Sequence, residues 1–396
     1  MITLFVASLS CIIWGYLLAA RGGFWLVKQG DDALQATAAQ DVQWPGVVAV
    51  IPARDEATVI GETIASLLRQ EYRGTLTLIV VDDHSSDDTE VVVRRAVATG
   101  GASDRVTVLA APNLPDGWTG KLWAVHHGAS HVQALPDPPD YLLFTDADIQ
   151  YADDTLTELV RRAERDGLVL VSLMPRLRCQ TFAERALIPA FIFFFRMLYP
   201  FAWVNRPGWA TAAAAGGCML VQRRALQTAG GIAMIRGQII DDCALARLLK
   251  GHGPIWLGMT QRVCSVRANA SLTEIRRMVV RSAYAQLAFS PWWLAAATLG
   301  MIITFLAPPA LALLGTGSSR LLGSLAWAIM ALAFQPTLRF YAVSLLWGLA
   351  LPAIAAMYVV FTLDSAYQHW RGRGGEWKGR IYRRASSYEA SSRPRR

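Results

Sequence analysis

Tyr141-Leu142-Leu143-Phe144-Thr145-Asp146-Ala147-Asp148 is a short apolar run that ends in two alternate carboxylates. The run reads as a buried strand, and in an open α/β sheet ligands collect outside the carboxyl ends of the strands. Two carboxylates at that place call for a cation, and their hard oxygens suit Mg²⁺ or Mn²⁺ beside a phosphate-bearing substrate. A nucleotide diphosphate is the expected ligand. A lone Asp-x-Asp also occurs in surface turns, so this reading depends on what surrounds it.

Two earlier segments repeat the pattern. Leu76 to Val81 is a β-rich apolar run that opens into Asp82-Asp83-His84-Ser85-Ser86-Asp87-Asp88-Thr89. Val47 to Ile51 runs into Pro52-Ala53-Arg54-Asp55-Glu56, followed by Ile60, Ile64, Leu67 and Leu68 at helical spacing. Strand, polar loop and helix in succession describe βαβ units, whose loops gather on one rim of a mostly parallel sheet. The expected fold class is α/β, with residues 42–281 forming one large domain.

Two further sites carry charge in apolar surroundings. The chain is built on arginine, its four lysines being Lys28, Lys121, Lys250 and Lys378. Gly120-Lys121 opens a helix whose Leu122, Val125 and Ala129 would face the sheet. Lys121 would then meet a diphosphate at a helix N-terminus, or else be a solvated lysine. Asp241-Asp242 precedes a short helix ending near Lys250. These acids are either an N-cap and a first-turn charge, or a base that takes a proton from an attacking hydroxyl.

The composition is too apolar for an ordinary soluble enzyme: 53% of the 396 residues are hydrophobic, 17% are charged and the mean hydropathy is +0.30. The excess is localised. Ile2 to Ala20 carries no charge and, at about 1.5 Å per residue, approaches the thickness of a bilayer core. With no basic segment ahead of it, residues 1–28 read as an uncleaved anchor rather than a signal peptide. No charge occurs between Arg281 and Arg320, and Leu321 to Leu338 and Phe340 to Leu363 are also uncharged. Residues 282–366 are therefore expected to be transmembrane or re-entrant, with Pro308-Pro309 and Gln335-Pro336 breaking the helices. Of the net charge of +8, residues 371–396 supply nine Arg or Lys against two Glu. The excess is a basic tail, 367–396, facing cytoplasmic lipid, and it argues against a nucleic-acid partner. Five cysteines without C-x-x-C spacing suit a reducing compartment, and His127 and His131 lack a nearby third ligand. The large domain is thus expected on the cytoplasmic face of the membrane. Ala186 to Val204, rich in aromatics, reads either as an interfacial segment admitting a lipid acceptor or as a buried core helix.

In order, Pro52-Ala53-Arg54-Asp55-Glu56, Val81-Asp82-Asp83-x-Ser85-x-Asp87, Gly120-Lys121, Asp146-Ala147-Asp148 and Asp241-Asp242-x-x-Leu245 resemble the GT-A, family 2 glycosyltransferases. The resemblance implies that Pro52, Ala53, Arg54, Glu56, Asp82 and Asp83 hold the nucleotide, with Asp83 on the base. It implies further that Lys121 and Asp146 meet the diphosphate, and that Asp146 and Asp148 bind Mg²⁺ or Mn²⁺. Asp242, beside Asp241, would be the catalytic base of a single displacement with inversion, and a UDP-sugar is the default donor. Processive members carry Gln-x-x-Arg-Trp where this chain has Met278-Val279-Val280-Arg281-Ser282, which implies transfer of a single sugar. Asn113 to Ala124, Ala214 to Leu220, Ile239 to Leu245 and Trp377-Lys378-Gly379-Arg380 are similar to the hopene-associated glycosyltransferases, which implies a hopanoid-type lipid acceptor. Other readings are transfer to a glycolipid or polyprenyl phosphate, a non-catalytic nucleotide-sugar-binding membrane protein, and a nucleotidyltransferase.

Overall fold

The computed structural model describes residues 1–28, 30, 44–378, 380 and 381. Most of the basic residues assigned to the tail lie outside the described residues.

An eight-stranded sheet forms the centre of the domain, in the order β3-β2-β1-β4-β7-β6-β8-β5. The strands are β1 (Val47–Ala53), β2 (Leu76–Asp82), β3 (Val106–Ala110), β4 (Tyr141–Phe144), β5 (Ile149–Tyr151), β6 (Leu170–Arg176), β7 (Met219–Gln222) and β8 (Ile255–Ser265). From β3 to β4 the pairing is parallel. Beyond β4 it is mixed: β7 runs antiparallel to β4 and β6, β8 parallel to β6, and β5 antiparallel to β8. Every residue of β1 and β4 is buried, the reason both are continuous apolar runs without alternation. The Ile60–Leu68 helix covers one face with Ile60, Ile64 and Leu67, all fully buried, each contributing about 1.5–3 kcal/mol of apolar burial.

Register places the polar loops together. Ala53 pairs with Asp82 and Val50 with Phe144, so β1, β2 and β4 release their loops on one rim. The chain departs to opposite sides of β1 when it builds β2 and β4, leaving a crevice between their carboxyl ends. The Gly120–Gln133 helix, capped by Thr119 on the Leu122 N–H, lies close against this part of the sheet. A Cβ at Gly128 would come within 2.6 Å of Val50 Cγ1, so glycine there permits the approach that carries Lys121 to the rim.

Among the described residues five helices are long and apolar enough to cross a membrane: Ile2–Ala19, Phe182–Val204, Pro291–Leu314, Gly317–Phe340 and Trp347–Trp370. The two proline sites expected to break this region differ. Pro336 lies within the continuous Gly317–Phe340 helix. Ahead of Pro308-Pro309 the backbone widens into a π-turn, Ile302–Leu306, and these prolines offer no N–H to the carbonyls preceding them. Ser10 Oγ donates to the Ile303 carbonyl (2.8 Å) and Trp14 Nε1 to the Thr304 carbonyl (2.9 Å). The N-terminal helix thus satisfies from outside what the prolines leave open.

The aromatic segment forms a helix, Phe182–Leu198, with a short continuation, Phe201–Val204. It is packed rather than peripheral: Phe193 meets Phe334 edge-on, Phe194 meets Phe305 and Tyr358, and Tyr358 Oη donates to the Leu187 carbonyl.

Candidate active site

The loops after β1 and β2 are tied into one surface. Arg54 donates through Nη1 to the Asp83 carbonyl and stands 3.8 Å from Asp83 Oδ2. The Asp83 N–H returns to the Ala53 carbonyl (2.8 Å). Asp82 accepts from Ser85, Asp55 Oδ1 from the Ser86 N–H (2.6 Å), and Asp87 Oδ2 from the Ala57 N–H (3.0 Å). Asp55 and His84 adopt left-handed conformations, φ 50 and 55, held by these bonds. Pro52 and Ala53 close β1 beneath this surface and are fully covered.

Lys121 is the cationic centre of the crevice. Its Nζ lies 2.8 Å from Asp146 Oδ1 and 3.0 Å from Asp241 Oδ2, bringing together three elements separated widely in sequence. Beside them Asp242 accepts from the Gly216 N–H through Oδ2 (3.1 Å) and from the Cys243 N–H through Oδ1 (2.7 Å). A Cβ at Gly216 would sit 3.2 Å from Lys121 Nζ and 3.7 Å from both Asp146 Oδ2 and Asp242 Oδ2. Glycine is what lets the backbone reach the middle of the cluster.

The electrostatics follow from that packing. Burial pulls Lys121 toward neutrality, but Asp146 and Asp241 outweigh it and hold the ammonium protonated well above its ordinary range. Burial likewise works against an ionised Asp146, and Lys121, with Arg281 and Arg267, reverses the effect. Asp242 is the exception: burial, then its neighbour Asp241, pushes it up to about 6 against the opposing pull of Lys121 and the two N–H donors. One cluster therefore holds a fixed cation, an ionised carboxylate and a carboxylate that exchanges its proton near neutrality.

Asp146 and Asp148 are anchored by different partners. Asp148 Oδ2 accepts from Ser265 Oγ (2.9 Å) and Arg267 Nε (3.0 Å). Arg267 Nη2 reaches Glu56 Oε2 (2.5 Å), and Glu56 Oε1 lies 3.0 Å from Lys378 Nζ. Among the described residues no group of three His, Cys, Asp or Glu side chains could hold a metal by itself. Two carboxylates with the remaining ligands drawn from a diphosphate suit Mg²⁺ or Mn²⁺, and the hard-oxygen donor set of Asp146 and Asp148 fits such an ion.

Two spaces border Asp241. A narrow crevice is lined by Pro52, Lys121, Asp146, Gly216 and Asp241. A larger cavity of about 330 Å³ is lined by Asp241 and Asp242 and, among others, by Phe194, Met278, Met301 and Tyr358 from four helices, with Arg281 and Gln286 in its wall. Asp241 belongs to both. Arg267, Ser265, Gly216, Arg281 and Lys378 complete this arrangement without having been assigned roles from the sequence. The arginines and Lys378 show no strand-end spacing, and only the Ala214 to Leu220 and Trp377 to Arg380 stretches drew attention to Gly216 and Lys378.

Residues 48–230 match the family model described as glycosyl transferase family 2. The mannosyltransferase PcManGT from Pyrobaculum calidifontis, in complex with GDP-Man and Mn²⁺, superposes with a TM-score of 0.59 over 93% of this chain and 99% of its own, at 19% identity. The glucosyl-3-phosphoglycerate synthase of M. tuberculosis aligns over 61% of this chain and 80% of that one, at 21% identity and a TM-score of 0.38. The same enzyme from Mycobacterium tuberculosis with Mn²⁺, UDP-Glc and glycerol 3-phosphate gives 20% identity over 61% and 80%, with a TM-score of 0.37. Curated proteins provide no match.

Proposed function

We propose that this chain, a protein of GT-A fold with a glycosyl transferase family 2 domain, is an inverting glycosyltransferase moving one sugar from a nucleoside-diphosphate sugar to a membrane lipid. The observation that carries the reading is that Asp241 lines both the polar crevice and the apolar cavity, with Asp242 at the same place. Donor and acceptor approach one another there.

In this reading the loops Pro52-Ala53-Arg54-Asp55-Glu56 and Asp82-Asp83 hold the nucleotide, and Lys121 meets its diphosphate. Asp146 and Asp148 would hold Mg²⁺ or Mn²⁺, which supplies charge neutralisation to the departing diphosphate. Asp242 takes the proton of the acceptor hydroxyl as that oxygen bonds to the anomeric carbon. The bond from that carbon to the diphosphate oxygen breaks, and its electron pair leaves with the nucleoside diphosphate. Attack opposite the leaving group inverts the centre. A carboxylate near 6 is mostly ionised at neutral pH and is still basic enough to take the proton. Asp241 orients Lys121 and, by its own charge, raises Asp242.

The cavity and the five apolar helices support a lipid acceptor in a multi-pass protein of the bacterial inner membrane, with the domain on the cytoplasmic face. Lys378 lies beyond the last apolar helix and touches the loop after β1, so that helix returns the chain to the domain's own side. Replacement of Gln-x-x-Arg-Trp by Met278 to Ser282 supports a single transfer, and the likeness to the hopene-associated enzymes supports a hopanoid hydroxyl as acceptor and UDP as the default carrier. Arg281 in the cavity wall favours a second reading, a lipid with a phosphate head such as a polyprenyl phosphate. Membranes containing the chain, incubated with nucleotide sugars and either a hopanoid or a polyprenyl phosphate, separate these readings. Nucleoside diphosphate released only with hopanoid supports the first, release only with polyprenyl phosphate the second. Release of pyrophosphate from a nucleoside triphosphate, or binding without release, contradicts both.

A further inference from the structure

Beyond the last apolar helix the chain returns to the rim of the sheet. Glu376–Trp377 pairs antiparallel with Arg380–Ile381, a two-stranded hairpin with Lys378 in its turn at φ 48. Lys378 Nζ donates to the Asp55 carbonyl (2.9 Å), 323 residues away, and lies 3.0 Å from Glu56 Oε1. In return Arg54 Nε donates to the Lys378 carbonyl (3.2 Å). Three consecutive residues of the loop after β1 are thus held by one residue of the hairpin, and the middle one, Asp55, is in the left-handed region.

The contact continues inward. Glu56 is 6% exposed, so its charge requires partners, and it has two: Lys378 on one oxygen and Arg267 on the other. Arg267 in turn holds Asp148 at 3.0 Å. Lys378, Glu56, Arg267 and Asp148 therefore form an unbroken line of opposite charges from the C-terminal hairpin to the second carboxylate of the Asp-x-Asp. Removing Lys378 leaves Glu56 with Arg267 alone. Arg267 is then drawn more strongly to Glu56, and Asp148 is left held chiefly by Ser265.

We propose that the C-terminal hairpin is a working wall of the donor site, and that Lys378 is a positioning residue acting through Glu56 and Arg267 on Asp148 and directly on the nucleotide loop. The inference rests on the reading of Asp148 and that loop as donor-binding, and it assigns a role to Trp377-Lys378-Gly379-Arg380 that the rest of the site does not use.

The test uses the full chain in lipid nanodiscs, with UDP and GDP plus Mn²⁺ titrated calorimetrically. Outer partners of a metal-site carboxylate are each worth about 10–100-fold in affinity or activity. Lys378→Met is therefore expected to weaken nucleoside diphosphate binding about tenfold, at the low end of that range. The donor KM should rise in step, with kcat and acceptor KM unchanged, and Lys378→Arg should restore most of the affinity. Glu56→Gln added to Lys378→Met should cost little more, because both act on one line. Should Lys378→Met fail to fold, Lys378→Gln gives the same comparison while keeping a donor to the Asp55 carbonyl. Unaltered affinity in the variants overturns the inference. So does a uniform fall in activity with a lowered melting temperature and no donor KM change. Absence of nucleoside diphosphate binding by the unaltered chain overturns the proposed function instead.

Discussion

The two walls of the site are built by different means. The donor wall consists of charges on strand-end loops, fixed by backbone hydrogen bonds between the loops after β1 and β2 and by ion pairs to Lys121, Asp241, Arg267 and Lys378 from distant parts of the chain. The acceptor wall is a cavity between helices whose lining residues, Phe194, Met278, Met301 and Tyr358, run from the second half of the domain through most of the apolar region. A polar wall is specified charge by charge, because each buried charge needs its own partner close in space. An apolar wall requires only that several helices fail to fill the space between them. Asp241 belongs to both and Asp242, beside it, to the acceptor wall, which is where substitutions separate the walls.

The largest effect is expected at Asp242. Asp242→Asn should lower kcat by about 10²–10⁴-fold, the range for a lost general base, and leave nucleoside diphosphate affinity intact. Parallel loss of binding would show that the residue serves the donor wall. In the unaltered chain kcat/KM should fall below about pH 6, with an apparent pKa belonging to the Asp241–Asp242 pair. The stability sign is opposite to that of a salt-bridged acid. With its folded pKa raised, Asp242 stays protonated in the fold where the unfolded chain has ionised, so stability falls as pH rises from about 4 to 6. At pH 7, Asp242→Asn should therefore unfold at a higher temperature, by roughly 1–2 kcal/mol at about 1.4 kcal/mol per pKa unit after discounting for partial exposure.

Lys121→Met comes next. It leaves Asp146 and Asp241 facing each other without a cation, and nucleoside diphosphate binding should weaken by about 10–100-fold, or roughly 1.4–2.8 kcal/mol. The fold should lose about 1–3 kcal/mol, below the figure for a fully buried pair because the side chains are 20–35% exposed. Calorimetric titration and thermal melting read the two separately. On the acceptor wall, Met278→Trp fills cavity space and should raise the acceptor KM by about tenfold, at the lower end of 1–3 kcal/mol for a pocket contact, with donor KM unchanged. Equal effects on both substrates would dissolve the distinction between the walls. The smallest change is expected at Trp14→Phe, which lines neither wall, where the Thr304 carbonyl loses its donor. About 0.6–2 kcal/mol of stability, read by melting in detergent, should go without a change in either KM.

The same division explains what the sequence disclosed. Apolar runs ending in Asp82-Asp83 and Asp146-Ala147-Asp148 announce their strands and their rim directly, since both strand burial and loop charge are local. Lys121 and Asp241-Asp242 are each legible as helix openings but equally readable as solvated or capping charges, because only the fold brings Lys121 Nζ within 3.0 Å of Asp146 and Asp241. Arg267 lies past the end of β8 with no motif around it, and Lys378 stands over three hundred residues from the loop it holds; nothing local encodes either contact. The prolines misled because their effect depends on partners: Pro308-Pro309 leave carbonyls open, and Ser10 and Trp14, four residues apart on another helix, close them.

The most direct test of the shared centre is a structure of the full chain in lipid with Mn²⁺ and a non-transferable sugar nucleotide. The expected result places the diphosphate against Lys121, the metal on Asp146 and Asp148, and the anomeric carbon facing Asp242 across the mouth of the apolar cavity. A sugar bound with Asp242 behind the diphosphate, or with the cavity opening elsewhere, would contradict the account.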